Sequence, residues 1–323
     1  MTVLSGIVLF SACQSAPQPT PSPSPVTPST TGSTSPSPTR APSESTKVVV
    51  AVGDIVCEPT DGDFDGGDPD ECQHRATAGL VGDADAVLGL GDLQYDHGTL
   101  GEYLAAYDPT WGRLASITYP APGNHEHETA GARGYFDYWR LRHRPTGRPI
   151  GAYSFDLGTW HLIALDSSCF DVGCEEGSPQ HDFLERDLAS TTRRCILAFW
   201  HHPYFNSGEV HGEEMLSGVR AFWDDLLAAH ADVILNGHEH DYQRYGKQDV
   251  DGRARNDGIR EFVVGTGGKS LYELLEHKDP NFQAGDDTHF GVLRLTLARD
   301  SYSWEFVAVG GTVLDRGGPT TCN

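Results

Sequence analysis

Five short clusters between residues 53 and 240 offer side chains suited to one chemistry. They are Gly53-Asp54, Gly91-Asp92-Leu93-Gln94-Tyr95, Gly123-Asn124-His125-Glu126, His201-His202-Pro203 and Gly237-His238-Glu239-His240. Between them they supply two carboxylates (Asp54, Asp92), a phenol (Tyr95), an amide (Asn124) and three imidazoles (His201, His238, His240). Hard and borderline divalent and trivalent ions take these donors. A two-metal site also needs a shared ligand, with ions roughly 3.5–4 Å apart. Asp92 is the natural bridge, because the glycine before it lets backbone and ion approach closely. Tyr95, three residues on, reaches the same ion. Taken singly, an aspartate after a glycine is a turn residue, and a tyrosine is a packed ring with a bonded hydroxyl. The ordered set points instead to two metal ions.

The elements that must carry these clusters are visible as apolar runs. Val48–Val52, Ala86–Leu90, Ile117–Ala121, Cys195–Trp200 and Val233–Leu235 each end where a cluster begins. They are short, continuous and rich in β-branched or aromatic residues, which predicts buried strands. Helical patterns fall at 71–82, 99–107, 134–143, 179–190 and 212–230, the last with Met215, Val219, Phe222, Trp223 and Leu226 at core-packing spacing. Alternating strands and helices predict a layered α/β fold, whose ligands gather beyond the carboxyl ends of the strands. Tyr153–Leu157 with Trp160–Leu165, and Val292–Leu297 with Tyr302–Val309, read as antiparallel hairpins, giving a mixed β core flanked by helices. Gly265-Thr266-Gly267-Gly268 after Glu261–Val264 reads as a glycine turn rather than a phosphate cradle.

The series of clusters resembles the calcineurin-like metallophosphoesterase superfamily, and within it the purple acid phosphatases, over about residues 47–310. Many members carry D-x-H in the first motif; here Asp54-Ile55-Val56 has no histidine. The second motif is G-D-x-x-Y, with Tyr95 where purple acid phosphatases place their iron-binding tyrosine. His201–Ser207 and Gly237–Arg244 are similar to that family's late motifs. The resemblance implies an α/β (α+β) fold, a four-layer αββα sandwich of two mixed sheets flanked by helices. It implies that Asp54, Asp92, Tyr95 and His240 hold Fe(III), and that Asp92, Asn124, His201 and His238 hold Fe(II), Zn(II) or Mn(II). It makes His125 the general acid, and Asn124, His202 and His211 substrate contacts. The implied reaction is hydrolysis of a small phosphorylated substrate, most simply a phosphomonoester, by an in-line attack of a metal-bridging hydroxide. A phosphodiesterase or nucleotidase on the same metals is the nearest alternative, and a non-catalytic tethered binding module the more distant one. One departure stands out: Val56 replaces the family's usual glycine, a change that bears on the position of the first-motif loop and removes no ligand.

The rest of the chain bounds this reading. The net charge is −23, from 46 acids against 23 bases, so no basic nucleic-acid-binding surface is evident. Residues 1–13 form a short apolar stretch closing on Phe10-Ser11-Ala12-Cys13, which resembles a bacterial lipoprotein box with Cys13 as the lipidated, membrane-anchoring residue. Residues 14–46 are rich in Pro, Ser and Thr and read as a disordered tether, leaving 47–323 as the metallophosphoesterase domain. An exported, cell-surface or secreted protein is expected. The six cysteines beyond Cys13 then pair, with short loops favouring Cys57–Cys72 and Cys169–Cys174 and leaving Cys195–Cys322. Inside the first loop, Asp61, Asp63 and Asp65 match the first half of a calcium loop. The acidic residue usual at position twelve is replaced by Cys72, so calcium binding competes with a solvated acidic loop.

Overall fold

The computed structural model describes residues 46–211 and 218–323; residues 1–13, the tether and Met215 lie outside them. Among the described residues, thirteen strands form two sheets. The first has the order β13-β12-β11-β1-β2-β3, from β1 (Lys47–Val52), β2 (Ala86–Leu90), β3 (Thr118–Ala121), β11 (Gly291–Leu297), β12 (Ser301–Ala308) and β13 (Val313–Thr321). The second has the order β10-β8-β9-β7-β6-β5-β4, from β4 (Tyr153–Leu157), β5 (Trp160–Ala164), β6 (Cys195–Phe199), β7 (Val233–Asn236), β8 (Tyr242–Tyr245), β9 (Arg260–Val264) and β10 (Phe282–Asp286). Both sheets are mixed: β1–β2–β3 and β5–β6–β7–β9 run parallel, while β11 joins β1 and β4 joins β5 antiparallel.

The apolar runs are continuous because each strand is covered on both faces. In β1, Val49 and Ala51 face the core between the sheets, whereas Val50 and Val52 face the outer core. In and just after β6, Cys195, Leu197 and Phe199 point inward, and Ile196, Ala198 and Trp200 outward. One outer layer holds α1 (His74–Gly79), α2 (Leu100–Glu102), a π-helical turn at Tyr103–Tyr107, α3 (Asp108–Thr110), α4 (Asn124–Glu128) and α5 (Arg133–Leu141). Beyond the second sheet lie the short α6 (Cys169–Val172), then α7 (Pro179–Ser190) and α8 (Val219–Ala228). This is the expected four-layer sandwich. No helix among the described residues is long and apolar enough to cross a membrane.

All three expected disulfides form, Cys57–Cys72, Cys169–Cys174 and Cys195–Cys322. Both expected hairpins are present. The helix expected at 71–82 shrinks to His74–Gly79, and the described part of the 212–230 segment begins its helix at Val219. Strands β8, β10 and β13 are additions to the sequence reading. Val56 is tied into its loop by its backbone: its N–H donates to Leu93 O, its carbonyl accepts from Tyr95 N, and its side chain is buried in the outer core.

His74 illustrates how this packing constrains titration. The residue is fully buried and neither ring nitrogen has a hydrogen-bond partner; burial, aided by Arg75, pushes the imidazole down to about 4. A histidine whose folded value is depressed cannot take the proton that the unfolded chain accepts, so stability falls as pH drops from 6.5 toward 4. Between pH 7.5 and 4.5, wild type is expected to lose roughly 2–3 kcal/mol more stability than His74→Leu. Urea denaturation at the two pH values reads this; parallel losses in both proteins would refute it.

Candidate metal centre

Each cluster sits directly after the strand expected to carry it. Asp54 follows β1, Asp92 and Tyr95 follow β2, Asn124 and His125 open α4 after β3, His201 and His202 follow β6, and His238 and His240 follow β7. The turns are tight enough to force unusual backbone. Asp54, Asp92 and His238 have φ of 59°, 47° and 73°, a left-handed region that costs a non-glycine residue of order 1 kcal/mol or more and marks functional strain. Two glycines are required by close approach. A Cβ on Gly91 (φ 84°) would lie 2.6 Å from the His201 ring, and one on Gly123 would lie 2.2 Å from Asp92 Oδ1.

The donor atoms converge in two groups. Tyr95 Oη lies 3.0 Å from Asp54 Oδ1 and 3.0 Å from His240 Nε2, which is itself 3.3 Å from Asp54 Oδ1. In the second group, His201 Nε2 lies 3.0 Å from Asn124 Oδ1, 3.2 Å from Asp92 Oδ2 and 3.3 Å from His238 Nδ1. Neighbouring donors around an ion with bonds of about 2.1 Å stand roughly 3.0 Å apart, so both groups have the spacing of a coordination shell. Asp54, Asp92 and His201 each offer an atom within 4.8 Å of the others, which joins the two groups. All seven predicted ligands are thus brought together.

Burial adds a charge argument. Asp54, Asp92, Tyr95, His201, His238 and His240 are all buried, and buried carboxylates need compensating positive charge. Burial would raise the Asp92 carboxyl, but His201 and His125 hold it well below the usual range. Burial would likewise lower His201, yet Asp92 and Asp54 push it up to about 10. Protons on His201 therefore stand in for a cation. The Tyr95 phenol is driven well above its ordinary value by burial and by Asp54 and Asp92, so a phenolate here requires a strongly charged partner. The donor set and its charge fit two bound ions.

The outer contacts set tautomers. His201 Nδ1 donates to Leu90 O at 2.8 Å, leaving Nε2 as the ligand atom. His240 Nδ1 bonds Ser270 Oγ at 2.9 Å, and its ring stacks on Tyr272 at 4.1 Å. Because His201 is protonated near neutral pH in the metal-free protein, ion loading at pH 7 is expected to release about one proton from it per chain. Metal affinity should then fall by about tenfold for each pH unit of acidification below 10. Titration calorimetry in buffers of different ionisation enthalpy measures the release; buffer-independent heats would contradict it.

The predicted substrate contacts also border the centre. His125 packs at a tilt against Tyr95, ring centres 4.3 Å apart, its Nε2 is 3.9 Å from Asp92 Oδ2, and its Nδ1 bonds Asp96 O at 2.6 Å, so Nε2 remains free of that bond. His202 and His211 pack on His238 at 4.3 and 4.1 Å. His202 bonds Ser167 Oγ through Nδ1 at 2.8 Å, and burial, reinforced by His201, pushes it down to about 3, so it is neutral.

Two buried carboxylates inside the quoted motifs went unassigned in the sequence. Glu126 accepts hydrogen bonds from the backbone N–H groups of Asp92, Leu93, Gln94 and Gly123 and from Tyr103 Oη. Glu239 accepts from Asn206 Nδ2 and from the N–H groups of Val210 and His211, fixing the loop that bears His211. A charged residue flanked by ligands at a strand end was the available signal. The Asp61–Asp65 loop gives its carboxylates other partners: Asp61 pairs with Lys269 at 3.4 Å and Asp65 with Arg75 at 3.3 Å. That arrangement lends the calcium reading no support.

Parallel strands ending in this donor set define a dinuclear metallophosphoesterase architecture. The profile described as calcineurin-like phosphoesterase matches residues 47–242, and the chain belongs to that family. Within it, the chain is similar to purple acid phosphatase 22 of Arabidopsis thaliana, 28% identical over 248 residues and covering 69% of this chain and 54% of the relative. Probable purple acid phosphatase 20 of the same plant is 26% identical over 248 residues, covering 69% and 55%. The structure of a purple acid phosphatase from yellow lupin (Lupinus luteus) seeds shares the fold, with a TM-score of 0.68 at 20% identity, over 84% of this chain and 53% of that one. The chain spans about half the length of the curated relatives it matches.

Proposed function

We propose that this protein is a binuclear-metal phosphoester hydrolase of the purple acid phosphatase type, acting on small phosphomonoesters. The observation that carries the reading is the triangle of Asp54 Oδ1, Tyr95 Oη and His240 Nε2, with edges of 3.0–3.3 Å, beside the His201-centred group. Asp54, Tyr95 and His240 would hold one ion, Asn124, His201 and His238 the other, with Asp92 between them. Bound ions supply a water acidic enough to act near neutral pH and polarise phosphate oxygens. The chain's own residues do the rest. Asn124, neutral His202 and His211 flank the position of a phosphoryl group, and hydrogen bonds from preorganised side chains favour the charge that develops there. A protonated His125, anchored through Nδ1 to Asp96 O, presents Nε2 to the leaving oxygen and donates its proton. Three disulfides support the further proposal that the protein is exported, with Cys13 as a lipid anchor and residues 14–46 as the tether.

The test is metal analysis with an optical spectrum of protein purified without added metal, followed by turnover of p-nitrophenyl phosphate against its bis-ester. Iron, a visible tyrosinate charge-transfer band and preference for the monoester are expected. Tyr95→Phe should abolish the band. Iron-loaded wild-type protein without a band would remove the tyrosine assignment, and preference for the bis-ester would replace the monoesterase reading with a diesterase.

A further inference from the structure

The helical layer over the seven-stranded sheet holds another group of metal-ligating side chains, none of them among the five clusters. His181 and Glu185 stand four residues apart on α7 and share one face of the helix. Asp225 comes from α8, which packs against α7. One donor atom of each lies within 4.8 Å of the other two. His181 Nε2 is 3.0 Å from Asp225 Oδ2, and His181 Nδ1 is 3.9 Å from Glu185 Oε2. The His181 side chain is 5% exposed, whereas those of Asp225 and Glu185 are 28% and 58% exposed, so the group opens to solvent on its carboxylate side.

An ordinary ion pair does not account for this geometry. The approach of His181 to Asp225 is not a hydrogen bond: Asp225 Oδ2 is buried and receives none, and His181 Nδ1 is buried and makes none. Buried polar atoms left this way are costly, and an ion between imidazole and carboxylate satisfies both residues. The 3.0 Å separation is that of neighbouring donors around a transition metal, the same spacing that organises the main centre. The surroundings also favour a cation. Asp225 is raised by burial, and Glu185, Asp224 and Glu176 add negative charge around it, opposed by His181. Asp224 is partly taken by Arg220, at 3.7 Å.

We propose that His181, Glu185 and Asp225 form a third metal site, which takes a divalent transition ion of the zinc class and clamps α7 to α8. One imidazole nitrogen and two carboxylate oxygens, completed by water, suit zinc or manganese; calcium selects oxygen donors alone and is not expected. An ion held by two helices binds the folded chain only and stabilises it by mass action. The site is separate from the phosphoester chemistry and does not depend on it.

The test uses the full chain, stripped with a chelator, dialysed to equilibrium against Zn(II) and counted by elemental mass spectrometry. Wild type is expected to hold one equivalent more than the Glu185→Gln/Asp225→Asn double variant, with hydrolysis by the loaded main centre unchanged. Equal counts overturn the proposal. A zinc-edge anomalous map of zinc-soaked wild-type crystals gives a readout independent of any variant's folding. A peak between His181, Glu185 and Asp225 is expected, and a map without one overturns the site. Loss of the phosphatase reading, seen as no turnover, would leave both measurements intact.

Discussion

Asp92→Asn is expected to lower kcat/KM for p-nitrophenyl phosphate by at least about a thousandfold, or roughly 4 kcal/mol of transition-state stabilisation, and to reduce the bound ions at the main centre from two to one or none. Asp92 stands where both donor groups meet. Its Oδ2 is 3.2 Å from His201 Nε2, and its Oδ1 accepts the His125 N–H at 2.9 Å. Asparagine keeps the size and one acceptor but removes the charge. It also turns an NH2 toward either the His125 N–H or His201 Nε2, so one of those two contacts is lost. The His201 proton, held by Asp92 and Asp54 in the metal-free state, loses its principal anionic partner as well. The backbone N–H of Asp92 still donates to Glu126 at 2.9 Å, so the loop and the fold are expected to survive. Steady-state kinetics with metal counting on a variant of unchanged circular dichroism decides the matter. Activity within tenfold of wild type would remove Asp92 from the centre and the dinuclear reading with it.

What the sequence disclosed and what it concealed divide along physical lines. The converging side chains were legible because each had to follow a strand buried on both faces, and such strands leave continuous apolar runs ending abruptly in polar residues. The second-motif tyrosine was informative because its spacing from Asp92 places its hydroxyl beside Asp54 and His240, inside one donor group. Strands β8, β10 and β13 were hidden for a different reason. β8 reads Tyr242-Gln243-Arg244-Tyr245, and it pairs with β10 across some forty residues. β13 contains Gly317-Gly318-Pro319, which reads as a break. It is tolerated because this is an edge strand, where proline gives up no ladder hydrogen bond. Val56 shows a different limit: it follows Asp54 by two residues, and only the fold shows its side chain turned into the outer core. Glu126 was in plain view inside a quoted motif, but its role depends on five donors from three separate segments that only the fold assembles.

Those five donors make Glu126 the residue whose loss should cost the fold most. Every partner of its carboxylate is a donor: four backbone N–H groups, at 2.7–3.3 Å, and the Tyr103 hydroxyl at 2.8 Å. Through them it ties the Asp92 loop to the Asn124 turn and sets the separation of the donor side chains that the two segments carry. In Glu126→Ala all five lose their acceptor in a fully buried place. At the lower bound of about 1 kcal/mol for each unsatisfied buried group, the penalty is roughly 5 kcal/mol, comparable to the whole stability of many domains. The variant is expected to be unfolded or aggregated at 37 °C. Glu126→Gln preserves the shape but points its NH2 at groups that are themselves donors. A folded protein is expected, with metal affinity and kcat reduced about 10- to 100-fold, the usual cost of disturbing a ligand's supporting contacts. Tyr103→Phe removes one donor and leaves the four backbone bonds in place, so a loss of about 1 kcal/mol with little change in activity is expected. The ordering of the three, by thermal melting and by metal titration, separates a staple between ligand loops from general packing at the site. A Glu126→Ala protein that melts within a few degrees of wild type would mean that water replaces the carboxylate at little cost, and that the ligand loops hold their spacing without it.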